Sequence, residues 1–340
     1  MTIGANAELG VTSYVAIFKE STFGSYPATA ATGASTLEPL SIGFRTEIKS
    51  QKLEEISRNR GFTKRVQLEK TVKGNLEQYL HPQESVLLTA LALGGGIVSA
   101  SLSGGFVHTL TSGNCDTSPA SVSMLVRKGS QHFFQYVGGR INQLVVSGNV
   151  GEPVKVSYDM IFKDSTLSGS DIASSLSISS VLPFTYVNGT YQYTNNQASL
   201  TTTVAEEITG FELTVNNNIK ADKEARALGS NVPSVLPVTR RSIELKLTQR
   251  FDTNTAYNRF IQATAGAVAL RFIGESISAK QNYSCIIQMP KVYLNSPDPE
   301  VKGPNDILVS EIAFDVVVDN PSTTTGKDIS ITFINNTASY

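Results

Sequence analysis

Hydrophobic and polar residues alternate along much of this chain, and in places the alternation runs unusually far. From Val66 to Leu80, Val66, Leu68, Val72, Leu76 and Leu80 point one way, with Lys70, Gly74 and Gln78 interrupting the apolar row. Gln67, Glu69, Thr71, Lys73, Asn75 and Glu77 point the other way. A period of two marks a β-strand with one dry face. Fifteen residues at roughly 3.3 Å each predict a strand of roughly 50 Å, where about five or six residues is usual. His81-Pro82 ends it. From Gln83 to Leu93 the spacing of Val86, Leu87, Ala90 and Leu93 turns helical, until Gly94-Gly95-Gly96 caps the run. Ahead of the long strand, Leu40 to Ile48 alternates with Leu40, Ile42, Phe44 and Ile48 on one face, and a charged loop, Lys49 to Lys64, joins the two.

The same order returns later. Phe211 to Lys220 reads as a strand, Lys220 to Val238 as a polar loop, Thr239 to Phe251 as a long strand and Ala256 to Ala265 as a helix. A loop of about twenty residues inside a compact domain is uncommon and usually functional. A shift of 171 positions lays the second set on the first without a gap, matching Ile48 with Ile219, Lys49 with Lys220, Gln78 with Gln249 and Gly95 with Gly266. Each set is followed by a strand pair: Arg140 to Ser147 with Val154 to Phe162, and Lys291 to Asn295 with Ile307 to Val318. The pattern predicts a duplicated, mainly β domain, each copy with one helix and one long projecting loop. An arm would occupy residues 1–36, the first copy 37–170 and the second 171–340. A Ser/Thr-rich segment between them carries one hairpin signal, Tyr186 to Tyr191, with Asn188-Gly189 suited to a type I′ turn.

Composition fits this β reading and removes several functions. The chain has 340 residues, a net charge of −1 and no tryptophan, so no global field attracts nucleic acid or an anionic membrane. The most apolar run, Val86 to Val98, falls short of the ~20 residues a membrane span needs. The opening residues lack a signal-peptide pattern, and Cys115 and Cys285 read as isolated thiols; a cytosolic, soluble product is expected. His81, His108 and His132 lack metal-ligand spacing, and Asp298 with Glu300 lacks a calcium-ligand series. Arg240-Arg241, with Arg58, Arg60, Lys64 and Arg65, lies among Glu54, Glu55, Glu69 and Glu224 without interleaved aromatics, which favours a solvated or partner-facing loop over a phosphate site. The expectation is no catalysis, no cofactor and no metal.

Several stretches, taken in order, resemble the tail tube proteins of tailed bacteriophages. They are Phe18 to Pro27, Thr71 to Leu80, Tyr136 to Leu144, Phe211 to Ile219, Leu228-Gly229 and Arg240 to Phe251. The resemblance implies two tandem tail-tube-type β-sandwich domains. In that family, subunits form rings whose inner sheets join into a β-barrel, and rings stack into the conduit for DNA ejection. It implies a lumen face made of Gln67, Glu69, Thr71, Lys73, Asn75 and Glu77 with Ser242, Glu244, Lys246 and Thr248. It implies inter-ring loops carrying Leu53, Glu54, Glu55, Arg58 and Arg60, and Lys223, Glu224, Arg226, Leu228 and Gly229. The family's lumen is commonly acidic, whereas these two strands are near balance. If a ring needs six tube domains, two per chain predict a trimeric ring of pseudo-sixfold symmetry; a six-chain ring with the second domain outside is the alternative. The implied partners are further copies of the chain, tape measure, tail terminator and distal tail proteins, and passing genomic DNA without sequence-specific binding, in a virion tail assembled in the host cytoplasm. A β-sandwich binding or capsid-decoration module is the competing reading, with Tyr186, Tyr191 and Tyr193 as its one aromatic cluster.

Overall fold

The alternating runs become strands. The computed structural model describes residues 9–27, 35–56, 58–114, 120–167, 172, 176, 178–195, 200, 205–297, 307–320 and 326–340. Cys115, Asp298 and Glu300 lie outside them. In the first half come β1 (Tyr14–Lys19), β2 (Ser35–Leu37), β3 (Pro39–Ile42), β4 (Arg45–Lys52), β5 (Arg65–Tyr79), α1 (Ser85–Leu93), β6 (Gly94–Leu102) and β7 (Gly105–Ser112). They are followed by β8 (Val122–Lys128), β9 (His132–Asn149), β10 (Lys155–Phe162) and β11 (Asp164–Leu167). The second half contains β12 (Gly189–Thr194), β13 (Ala205–Glu206), β14 (Gly210–Asn216), β15 (Ser242–Arg250), α2 (Thr255–Ile261), β16 (Gly266–Ser278), β17 (Gln281–Ser296), β18 (Val309–Val316) and β19 (Ser330–Asn335). The protein is mainly β, and its pairings are antiparallel.

Two long strands organise the layers. The first part of β9 pairs with β8 and β11, and β8 pairs with β1; the later part of β9 pairs with β10 on one side and β14 on the other. Similarly, the first part of β17 pairs with β16 and β19, β16 pairs with β12, and the end of β17 pairs with β18. Each strand slips register at an asparagine: Asp159 faces Gln143 but Met160 faces Ile141, and Ala313 faces Ser296 but Phe314 faces Leu294. Asn142 and Asn295 are thus left over as bulge residues, and such bulges bend a strand out of one sheet towards another. Beside the first bend, Gly138 has φ +65°, and a Cβ there would overlap Lys163 and the Phe23 ring. Only glycine fits that position.

The halves are interlocked. β9 and β14 share seven paired residues, and the hairpin β6–β7 leaves the first half to pair with β19. The inward row of β5 lies in the core, where Val72, Leu76 and Leu80 are buried. Gln78, the polar interruption in that row, is buried because its Nε2 donates to Ser85 Oγ (3.2 Å), which also accepts from the His81 N–H (2.9 Å). The interruption therefore anchors the entry to α1. That helix is buried on nearly every side, packing on β6, β7 and β9, and Gly94 caps it with φ 76°.

Some local expectations differ. Lys49 to Lys52 belong to β4, so the first projection is a two-stranded arm instead of an open loop. Pairing between β5 and β10 stops at Val72, so the arm rises clear of the core. Ile48 (48% exposed), Val66 and Leu68 (42% exposed) consequently face solvent despite their pattern. Thr239 to Arg241 do not join β15, because Asn218, at φ 49°, closes a neck by donating from Nδ2 to the Arg240 carbonyl (2.8 Å). Tyr186 to Asn188 form a 3-10 turn instead of a hairpin: Asn188 Oδ1 accepts from the Thr185 N–H (2.8 Å), and Gly189 stays extended at φ −88°.

Candidate functional site: a polar wall and two projections

The solvent faces of six adjacent strands form one surface. Directly opposed residues share a sheet face, so pairings trace rows across it. Glu77, Ser157, Val145, Thr214, Glu244 and Asp315 form one row through β5, β10, β9, β14, β15 and β18. Asn75, Asp159, Gln143, Asn216 and Ser242 form the next. On the other side of the first row lie Tyr79, Lys155, Ser147, Glu212, Lys246 and Ala313, and beyond them Asn149, Gly210, Thr248 and Glu311. Six of the residues singled out from sequence, Asn75, Glu77, Ser242, Glu244, Lys246 and Thr248, thus lie on one continuous wall, although they come from opposite halves. Lys73 borders it opposite Ile161, while Gln67, Glu69 and Thr71 lie above the end of β10, on the arm.

Charges of both signs are mixed on this surface and on the arm beside it. Lys73 reaches Glu47 (3.3 Å), Arg45 reaches the same carboxylate (2.9 Å), Lys49 faces Glu69 (3.8 Å) and Lys246 faces Glu244 (3.6 Å). Asp159, Glu212, Glu311 and Asp315 add negative charge that β5 and β15 alone do not reveal. The result is a mixed, mildly acidic wall without a cationic stripe. Phosphates bind tightly where several cations line up, and this wall offers no such row. The signal was present in sequence: the outward positions of β9, β10, β14 and β18 alternate as regularly as those of β5 and β15.

Two projections rise from one end of the wall. The arm β4–β5 carries Leu53, Glu54, Glu55, Arg58 and Arg60 around its turn; all but Leu53 are exposed, and Lys64 pairs with Glu55 (2.7 Å). About seven residues of β5 beyond β10 give the arm a reach of roughly 23 Å. Its base is fixed by Lys70, whose ammonium meets Asp164 (2.5 Å) and the Ser165 carbonyl (2.7 Å). The second projection, between β14 and β15, carries Lys223, Glu224, Arg226, Leu228 and Gly229. Lys223, Glu224, Leu228 and Gly229 are exposed, with Gly229 at φ 88° at the tip. Arg226 instead turns inward, donating to the Asn231 carbonyl (2.7 Å), the Lys70 carbonyl (3.2 Å) and Thr71 Oγ1 (3.1 Å). Lys70 N–H donates in return to the Asn231 carbonyl (2.8 Å), and Arg140 donates to that of Leu236 (2.5 Å). This loop of the second half is therefore latched onto the first.

Other chemistry is sparse among the described residues. Cys285 is buried in apolar surroundings that push its thiol up, which disfavours the reactive thiolate. His108 is held by Ser99 and Asn335. Tyr191 and Tyr193 are buried, the latter under the Arg259 guanidinium (3.9 Å), and Tyr186 is exposed. A cavity of about 380 Å³ where the halves meet is lined by Val154, Phe211, Leu270 and Phe272 together with Tyr186 and Tyr191, with Arg250 tied to Glu207 (2.5 Å) at its edge. No described helix is long and apolar enough to cross a membrane.

A family model described as phage tail tube protein matches residues 10–317. Among curated proteins, none matches the chain.

Proposed function

The chain belongs to the phage tail tube protein family, a structural component of the virion that assembles with itself in the tail, and we propose that it closes trimeric rings that stack into the tube. In this reading the halves are two tube domains, about residues 37–170 and 171–340, arranged as successive segments of one ring. The observation that carries it is the β9–β14 seam: seven residue pairs join the halves edge to edge and carry the polar wall across without a break. The same kind of joint between chains would continue the wall. β3, which among the described residues pairs only with β5, offers an open edge at the start of the first half. A head-to-tail joint of this sort makes a ring when its rotation closes, and closure removes sheet edges that would otherwise aggregate.

The wall then lines the lumen. Genomic DNA passes it without sequence-specific contact during ejection, because the mixed, mildly acidic charges offer no phosphate track. The arm β4–β5 and the tip at Leu228-Gly229 reach the neighbouring ring, burying Ile48, Leu68, Phe62 and Leu228, which are exposed in the single chain. The tape measure protein occupies the lumen during assembly in the host cytoplasm, and tail terminator and distal tail proteins cap the tube. The test is assembly of purified protein followed by electron microscopy. Wild type is expected to form stacked rings, and the double variant Ile48→Asp, Leu68→Asp single rings of unchanged fold. Stacked tubes from that variant would remove the arm from the ring-to-ring contact, and wild-type monomers under every assembly condition would overturn the function.

A further inference from the structure

Three ionisable groups meet where the first long strand gives way to its helix. Glu38 lies between β2 and β3, His81 follows β5, and Glu84 immediately precedes α1. One imidazole nitrogen and one oxygen from each carboxylate lie within 4.8 Å of one another. The His81 side chain is 8% exposed, and its Nε2 lies 3.8 Å from Oε2 of Glu38. Nδ1 of His81 and Oε2 of Glu84 are both buried without a hydrogen-bond partner. Two orphaned polar atoms in one small cluster are costly unless something satisfies them.

We propose that Glu38, His81 and Glu84 bind a single divalent ion of the zinc or manganese class. One imidazole and two carboxylates suit such borderline metals, whereas calcium takes six to eight oxygens, about twice what this set supplies. The His81 imidazole, held beside both carboxylates, offers one ring nitrogen as a ligand atom. Backbone N–H groups of Ser179 and Glu38 hold the Glu84 carboxylate in place, the outer support that metal-binding carboxylates need. The half-exposed Glu38 side chain gives the ion its way in, and water would complete its coordination. The 171-residue shift puts Thr209, Asp252 and Thr255 at the corresponding positions of the second half, a set without an imidazole. The fold itself does not demand the cluster, so the site belongs to the first half alone.

The experiment uses the full chain, stripped with a chelator and titrated calorimetrically with zinc, manganese and calcium chlorides, with cobalt chloride as a spectroscopic probe. One zinc or manganese ion should bind per chain in preference to calcium, and cobalt should develop the visible bands of a nitrogen- and oxygen-ligated ion. Glu38→Gln, at a half-exposed position that leaves the core intact, should weaken zinc binding by at least about tenfold, as should Glu84→Gln and His81→Ala. Absence of binding to the wild type would overturn the proposal. So would zinc affinity and a cobalt spectrum unchanged in Glu38→Gln, since the ions would then sit elsewhere.

Discussion

Asn217, just past the end of β14, fastens the seam between the halves. It is 7% exposed. Its Nδ2 donates to the carbonyls of Ala92 (2.8 Å) and Ile141 (2.9 Å), and its backbone N–H donates to that of Asn142 (2.8 Å). One side chain from the second half therefore serves two buried acceptors of the first: a carbonyl in the last turn of α1, which has no partner within the helix, and one beside the β9 bulge. Asn217→Ala keeps the backbone bond but deletes both side-chain bonds. Each lost bond costs about 0.5–1.5 kcal/mol net, and acceptors left dry add to it, so about 2–4 kcal/mol is expected. Asn217→Asp should cost more, because a carboxylate cannot donate and would face two carbonyls. Urea unfolding followed by circular dichroism and tyrosine fluorescence measures both, the chain having no tryptophan. The midpoint should fall in both variants, further in Asn217→Asp. A loss below about 0.5 kcal/mol, the range of neutral surface changes, with the two variants alike, would refute the seam as a source of stability.

Other consequences follow from the same geometry. Arg226→Ala removes the guanidinium bonds to Thr71, Lys70 and Asn231; hydrogen exchange across residues 217–241 should speed up while the exchange of β9 and β14 stays slow, and equal loss of protection in both would contradict a local latch. Burial pushes the Tyr136 and Tyr340 phenols up to about 12. Their folded values lie above the ordinary value of 10.0, so the folded chain holds protons that the unfolded chain has released, and stability should fall as pH rises from 10 towards 12. Alkaline titration of phenolate absorbance alongside unfolding should show the two together; titration of both phenols near 10 with the fold intact would count against their burial. Replacing Glu77, Glu212 and Glu244 by lysine would turn the wall cationic, and the variant should retain DNA in a strongly salt-dependent manner where wild type does not. No gain in DNA retention would mean that the wall does not meet the nucleic acid.

Much of this architecture was legible in the chain because alternation reports a half-buried strand directly. β5, β15, α1 and the pairs β9–β10 and β17–β18 follow from it. What periodicity could not reveal was where a strand outruns its sheet. Val66, Leu68 and Ile48 continue the apolar row of Val72 and Leu76, yet lie exposed because β10 ends beside Val72. Nor could it predict that Asn188 would cap a 3-10 turn, since the same dipeptide suits a type I′ hairpin until a nearby Thr185 N–H competes for its side chain. The wall was half legible: β5 and β15 identified one strand of it in each half, but only the β9–β14 pairing joins them into one surface. The inward turn of Arg226 depends on Lys70 and Thr71, more than 150 residues away in sequence, a distance no local pattern spans.

The central claim is that one chain supplies two neighbouring segments of the tube wall. Cryo-electron microscopy of assembled tubes, with the copies counted in each ring, tests it most directly. Three chains per ring, with six similar but unequal segments and the polar face of β5, β10, β9, β14, β15 and β18 inward, is the predicted result. Six equivalent chains per ring, with the second half outside the barrel, would contradict it.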